Sequence, residues 1–258
     1  MPSTDSFAGA VPLRTFAPPA AMPSAGAVLM FHGLRSSMAT LEREARLFAA
    51  AGMTAILVDA PHHGARHDEV VASMPDALSL AGHYVLVRLV REARDEVPGL
   101  VDHALRLGHR KVAIAGVSFG AFIALAAATV EPRLAAIVSV LGSPDWTPRD
   151  GIVPEDLREV MRESPLHRYE AFASRPLLMI NGGLDDNVRP GPARALADRL
   201  RPLYEAARSW TRAEAGAAAA GPLVHVEIPH ATHFPSESDW NAMWSRAADF
   251  VARAFEGR

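Results

Sequence analysis

The chain has 258 residues, of which 49% are hydrophobic and 21% are charged, as in an ordinary globular protein. The formal net charge is −3 and no basic stripe is present, so nucleic-acid binding has no electrostatic support. Because the sequence contains no cysteine, it excludes disulfides, thiolate metal sites and a cysteine nucleophile.

Two stretches bear on localisation. Residues 1–16 lack the basic region and apolar run of a secretory signal, so we expect a cytoplasmic protein. Residues 112–130 carry no charge over a length that could span a membrane. This stretch divides into an apolar run, a Gly-containing turn and an Ala-rich segment, which is typical of a buried strand–turn–helix. We therefore predict no membrane partner.

Short apolar runs alternate with helical segments along the chain. Strands are predicted at residues 27–31, 54–58, 112–115, 134–140, 177–181 and 223–228. Helices are predicted at residues 40–51, 92–107, 119–130, 193–208 and 239–255, the last with Ser236 as its N-cap. Continuous apolar strands followed by helices indicate an α/β fold, with a mostly parallel sheet and helices on both faces. A strand or hairpin around residues 11–16 could add an antiparallel edge.

The alternation of predicted strands and helices is interrupted once, at residues 146–171, which have room for one or two short helices. We predict a small lid insertion there, within a single domain spanning residues 1–258. Residues 211–221 have low complexity and are predicted to form a surface connection. Five side chains of the insertion could either line a pocket or pack the lid onto the domain: Trp146, Met161, Leu166, His167 and Tyr169.

The sequence Gly-Val-Ser-Phe-Gly at residues 116–120 directly follows an apolar strand and opens a buried helix. In this context a G-x-S-x-G pattern indicates a nucleophile on a tight strand-to-helix turn, which makes Ser118 the candidate nucleophile. An inert serine in a glycine-rich turn is one alternative. A dinucleotide-binding loop is another, but the second glycine of its G-x-G-x-x-G pattern would stand at Ser118.

A serine nucleophile needs a base, and the base needs an orienting acid. After the strand at 177–181 come Asp185 and Asp186, and after the strand at 223–228 come His230 and His233. The spacing from Gly182 to Asp185 is similar to that of many serine hydrolases, so we predict Asp185 as the acid and Asp186 as a support for the turn. His233 is the predicted base, with His230 as the alternative.

The loop after the first central strand, Phe31-His32-Gly33-Leu34, is the predicted oxyanion loop. We predict that the backbone N–H groups of Leu34 and Phe119 form the oxyanion hole. Residues 59–68 contain three histidines and two aspartates, but their spacing fits no zinc pattern such as H-E-x-x-H. We interpret this segment as a loop near the rim of the active site, and we predict neither a metal nor a cofactor.

Together these motifs resemble the α/β-hydrolase superfamily from about Ala27 to the end of the chain. The sequences FHGLRSS, VDAPHHGAR, GVSFG, PLLMINGGLDDNV and PHATHF are most similar to small bacterial serine esterases of the prolyl-oligopeptidase and dienelactone-hydrolase-like branch. Dienelactone hydrolases use a cysteine nucleophile, which this chain lacks, and the peptidases carry a propeller that 258 residues cannot hold. The motifs are specific for the fold and the triad but not for the substrate.

The resemblance implies hydrolysis of a small-molecule carboxylic ester through an acyl-enzyme, with Ser118, His233 and Asp185 as the triad. A thioesterase, an acyltransferase or a small-peptide or amide hydrolase would use the same triad. A receptor or scaffold with a hydrolase fold but no activity is an alternative of a different class. The sequence leaves the acyl length, the alcohol preference and the oligomeric state open.

Overall fold

The computed structural model describes residues 3–149, 153, 155–173, 175–213 and 221–257. In this part of the chain eight strands form one sheet: β1 Ser3–Ala8, β2 Val11–Phe16, β3 Ala27–Phe31, β4 Thr54–Val58, β5 Val112–Val117, β6 Leu134–Val140, β7 Leu177–Gly182 and β8 Leu223–Ile228. Their order across the sheet is β1-β2-β4-β3-β5-β6-β7-β8. The strands from β3 onwards pair in parallel, whereas β1 and β2 form an antiparallel hairpin at one edge. The mostly parallel sheet predicted from the sequence is therefore confirmed.

Helices cover both faces of the sheet, as expected for parallel strands that are mostly apolar. Seven α-helices lie in the described residues: α1 Glu42–Ala50, α2 Glu69–Ala72, α3 Leu80–Arg106, α4 Phe119–Ala128, α5 Arg158–Arg162, α6 Gly191–Ala213 and α7 Glu237–Glu256. Side chains of α3, α4 and α6 pack into one hydrophobic core, and those of α1 and α7 pack into another on the opposite face. Successive residues of β3 alternate between the two cores, as the two-residue period of a strand dictates: Leu29 and Phe31 face one, Val28 and Met30 the other.

One helix is much longer than its sequence pattern indicated. The predicted helix at 92–107 begins at Leu80, where the Ser79 side chain accepts a hydrogen bond from the N–H of Gly82. The added turns contain Gly82 and the β-branched Val85 and Val87, which are weak helix formers. Packing against the core, rather than intrinsic propensity, therefore accounts for the start of α3.

The uncharged stretch at 112–130 forms β5, a turn and the buried helix α4. In the residues that the structure describes, no helix combines the length and the apolar character needed to cross a membrane.

The insertion at 146–171 contains α5 and two short 3-10 turns, Glu155–Leu157 and Tyr169–Phe172. Trp146, Met161 and Leu166 are buried in the core on the α3 face, and Tyr169 packs against its edge. Residues 150–152 and 154 of the insertion, and most of the predicted surface connection at 211–221, lie outside the described residues.

Candidate active site

The turn between β5 and α4 holds Ser118 in a strained backbone conformation, with φ 53° and ψ −118°. The N–H of Ser118 donates to the carbonyl oxygen of Val140 at 2.9 Å, which fixes the turn to the end of β6. A Cβ atom on Gly116 would collide with the carbonyl of Gly120, and one on Gly120 would collide with the carbonyl of Phe31. Both glycines of the motif are thus required by close backbone packing, which leaves the serine as the side chain that projects from the turn.

The structure brings Ser118, His233 and Asp185 into one hydrogen-bonded line. The Oγ of Ser118 lies 2.9 Å from Nε2 of His233, and Nδ1 of His233 lies 2.8 Å from Oδ2 of Asp185. A carboxylate can only accept, so Nδ1 of His233 carries the hydrogen and Nε2 is left as an acceptor for the serine hydroxyl. In chemical terms this arrangement can remove the proton of Ser118.

The carboxylate oxygen of Asp185 that does not contact His233 holds the side chain in place. Its Oδ1 accepts from the N–H groups of Asn187 and Val188 at 2.9 and 2.7 Å, while its side chain is fully buried. The predicted support of this turn by Asp186 is therefore wrong, because Asp185 itself holds the turn and Asp186 is exposed.

The alternative base, His230, lies apart from the serine. It is exposed, and its Nε2 lies 3.2 Å from both carboxylate oxygens of Asp239 on α7. The structure thus joins one of the two candidate histidines to Ser118 and the other to a surface helix.

The predicted oxyanion donors flank the serine on two chain segments. Phe119 is the first residue of α4, where a backbone N–H has no partner within the helix, and Leu34 lies in the turn after β3. Neither N–H has a hydrogen-bond partner among the described residues. Both residues line the same cavity as Ser118.

His32 fixes the start of the loop that carries Leu34. Its buried ring accepts from the N–H of Ala60 through Nε2 at 3.2 Å, so Nδ1 carries the hydrogen and donates to the carbonyl of Gly33 at 2.8 Å. Burial lowers the pKa of His32 to about 4, which keeps the ring neutral at physiological pH. The neutral ring ties the loop after β3 to the loop after β4.

Asp59 and His63 connect the segment 59–68 to the same loops. The carboxylate of Asp59 accepts from the N–H of Met38 at 2.8 Å and from the N–H of Ala65 at 2.9 Å. The ring of His63 stacks on the ring of Phe119, with centroids 5.0 Å apart. These contacts support the predicted oxyanion loop from behind, and none of residues 59–68 lines the cavity around Ser118.

Ser118 and His233 open into a cavity of about 920 Å³, a size typical of sites for small organic ligands. The described walls come from residues 33–41, 76–86, 117–122, 141–149, 187–192 and 233–240. The five side chains of the insertion considered from the sequence line none of it. The contribution of residues 76–86 to the cavity wall was not predicted from the sequence. Serine is a favourable N-cap residue, so Ser79 could have indicated that a helix begins at this point.

Known proteins are similar to most of this chain. The model of the Alpha/beta hydrolase family matches residues 28–252. YitV of Bacillus subtilis (strain 168) is 29% identical over 198 residues, which make up 69% of this chain and 75% of YitV. Esterase YjfP of Escherichia coli (strain K12) is 27% identical over 182 residues, which make up 63% of this chain and 69% of YjfP.

The same fold is found in the crystal structure of TT1662 from Thermus thermophilus. Its TM-score is 0.77 at 21% identity, with 100% of both chains covered. The family model covers most of the chain, including the segments whose motifs carry the resemblance. The resemblance stated from those motifs is therefore confirmed, and the chain belongs to the alpha/beta hydrolase family.

Proposed function

We propose that this protein is a serine hydrolase that cleaves carboxylic esters of small molecules through an acyl-enzyme. The observation that carries the proposal is the hydrogen-bonded line from Ser118 through His233 to Asp185, open to a large cavity. Membership of the alpha/beta hydrolase family and similarity to Esterase YjfP support hydrolysis of an ester.

The first half of the reaction forms the acyl-enzyme. Oγ of Ser118 attacks the ester carbonyl carbon while Nε2 of His233 takes the hydroxyl proton. Asp185 holds the ring through Nδ1–H and stabilises the positive charge that develops on it. The N–H groups of Leu34 and Phe119 hold the negative oxygen of the tetrahedral intermediate. His233 then gives its proton to the alcohol oxygen as the bond between carbonyl carbon and alcohol oxygen breaks.

The second half releases the acid. Water enters in place of the alcohol, and Nε2 of His233 removes one of its protons as the water oxygen attacks the acyl carbon. Collapse of this second intermediate breaks the bond to Oγ of Ser118, and His233 returns the proton to the serine. The acyl-enzyme could equally arise from a thioester or an amide, so the alternatives differ in the leaving group rather than in the roles of these residues.

Substitution of the nucleophile tests the proposal. Ser118→Ala removes the attacking oxygen, and we expect kcat on short 4-nitrophenyl esters to fall by roughly 10⁴–10⁶-fold. The matched control is Ser3→Ala on the edge strand β1, whose side chain is exposed and does not line the cavity, and we expect it to leave turnover close to that of the unchanged protein. Near-normal turnover by folded Ser118→Ala would contradict the proposed mechanism. A protein that hydrolyses no ester, thioester or amide would favour the receptor or scaffold.

A further inference from the structure

The cavity around Ser118 has arginine side chains that the proposed mechanism does not use. Arg149 follows β6 and Arg189 follows β7, and these two strands are neighbours in the sheet. Because β5, which leads to Ser118, lies on the other side of β6, both arginines project from loops on one flank of the serine.

These two arginines have no internal role in the described structure. Both are exposed, and neither forms a hydrogen bond or an ion pair with another described residue. A third arginine of the cavity, Arg35, is different, because its guanidinium donates to the carbonyls of Met74 and Pro75 and braces the loop after β3. Arg149 and Arg189 therefore have their guanidinium donors free for a ligand.

The carboxylates of the cavity are already engaged. Asp145 accepts from the N–H and hydroxyl of Thr147 at 3.0 and 2.8 Å, and Asp76 accepts from the N–H of Leu78 at 2.9 Å. Among the remaining titratable groups, His83 bonds the carbonyl of Trp146 and His233 bonds Ser118 and Asp185. The chain as a whole carries −3, so an attraction for anions would have to come from these two arginines rather than from the overall charge.

Other parts of the cavity wall are apolar. The segment before α3 contributes Leu78, α3 itself contributes Leu80 and Leu86, and α4 contributes Phe122. Leu78 and Leu80 are 46% and 38% exposed, so they offer apolar surface to a ligand instead of filling the core. The cavity thus combines apolar surface from α3 and α4 with the two free guanidinium groups of Arg149 and Arg189.

We infer that the substrate is an amphipathic ester that carries a carboxylate or phosphate group, which Arg149 and Arg189 bind while its apolar part lies against α3. Guanidinium groups bind both of these anions through paired hydrogen bonds, which neutral esters cannot offer. This inference rests on the proposed function, since it assigns the specificity of the same site.

A matched pair of substrates tests the inference. The pair is 4-nitrophenyl hydrogen suberate, which carries a free carboxylate, and its neutral carboxamide, 4-nitrophenyl suberamate. We expect kcat/KM to favour the anionic ester by about 10-fold or more, and high salt to reduce this ratio because exposed charges are screened. A third ester that ends in a phosphate group on a chain of similar length distinguishes phosphate from carboxylate recognition.

Arginine variants test whether Arg149 and Arg189 cause the preference for the anionic ester. The double variant Arg149→Gln/Arg189→Gln is expected to bring the anionic-to-neutral ratio close to one, whereas Arg201→Gln, at an exposed pair with Asp198 on α6, keeps the ratio of the unchanged protein. Hydrolysis of the neutral ester without preference for either anion, or a preference that survives in the double variant, would overturn this inference alone. Absence of hydrolysis together with a Ser118 that does not react with a fluorophosphonate would overturn the proposed function as well.

Discussion

The carboxylate of Asp185 illustrates how one side chain can both build a loop and hold a histidine ring. Oδ1 accepts two backbone N–H groups of its own turn and Oδ2 accepts from His233, so both oxygens are held in place. The neighbouring Asp186 has the same chemistry but points to solvent. The pair therefore offers a matched comparison at adjacent positions.

Asp185→Asn is predicted to lower kcat by about 10³–10⁴-fold. An amide in place of the carboxylate must set its NH₂ group either against the N–H groups of Asn187 and Val188, which breaks the turn, or against Nδ1 of His233, which forces the wrong ring tautomer. Asp186→Asn should leave kcat within about twofold, because the side chain is exposed. Steady-state kinetics on one ester suffices, and equal losses in both variants would contradict the assigned role of Asp185.

His32 gives a pH-dependent prediction. Its pKa is about 4 in the folded protein because burial penalises the charged ring, against an ordinary value of 6.5. The unfolded chain therefore binds this proton first as the pH falls, so the stability that His32 contributes is complete above pH 6.5 and is lost between pH 6.5 and 4. At pH 5 the loss is about 2 kcal/mol.

Urea unfolding at several pH values checks this prediction against His32→Gln, which cannot titrate. The variant is less stable than the unchanged protein at pH 7.5 because it breaks the link between Gly33 and Ala60. The difference in unfolding free energy should narrow by about 2 kcal/mol at pH 5, since the contributions of other groups largely cancel in it. If the difference in unfolding free energy between the two proteins stayed the same at every pH, His32 would not take up a proton on unfolding.

At the level of single residues, the sequence was informative where chemistry depends on residue type and order. The GVSFG motif, the Asp after β7 and the His after β8 could be found from the sequence because each follows the carboxyl end of a predicted strand. The support of the Asp185 turn and the contacts of His32 and His63 could not be predicted, because they depend on which backbone groups the folded loops bring near.

At the level of elements, strands were predicted more accurately than helices. Strands β3, β4, β6 and β8 have their predicted bounds, because each is a short and mostly apolar run between residues that interrupt the pattern. Helix α3 was predicted too short, since Gly82, His83 and Tyr84 give no strong helical pattern before packing is known. The missing turns carry part of the cavity wall.

Ion pairs join α3 to the insertion at α5. Glu163 accepts from Arg94 at 2.7 Å and from Arg91 at 3.1 Å, and the side chain of Arg94 is only 8% exposed. Glu163→Gln leaves a nearly buried guanidinium with Asp95 as its remaining partner, and we expect the unfolding free energy to fall by about 1–3 kcal/mol.

The control for this prediction is Glu159→Gln on the same helix. Its pair with Arg162 is exposed on both sides, so its loss should leave the melting temperature unchanged. Thermal and urea unfolding of both variants measure the comparison. Equal stability of the two variants would contradict a fixed connection between α3 and α5.

At the level of the whole molecule, the cavity combines segments that are far apart in the chain but meet at the carboxyl edge of the parallel strands. Residues after β3, β5, β6, β7 and β8 all contribute to it, together with the start of α3. Parallel topology accounts for the meeting of these loops, and it could be predicted from the alternation of strands and helices. The distribution of arginine and leucine around Ser118 depends on three-dimensional loop paths that the sequence does not encode locally.

Reaction with a fluorophosphonate tests the central claim most directly, because it detects an activated serine without knowledge of the substrate. We predict one stoichiometric adduct by intact mass, which peptide mapping places on Ser118 and which is absent from Ser118→Ala. A folded protein that forms no adduct, or an adduct on another residue, would contradict the assignment of Ser118, His233 and Asp185 as the catalytic machinery.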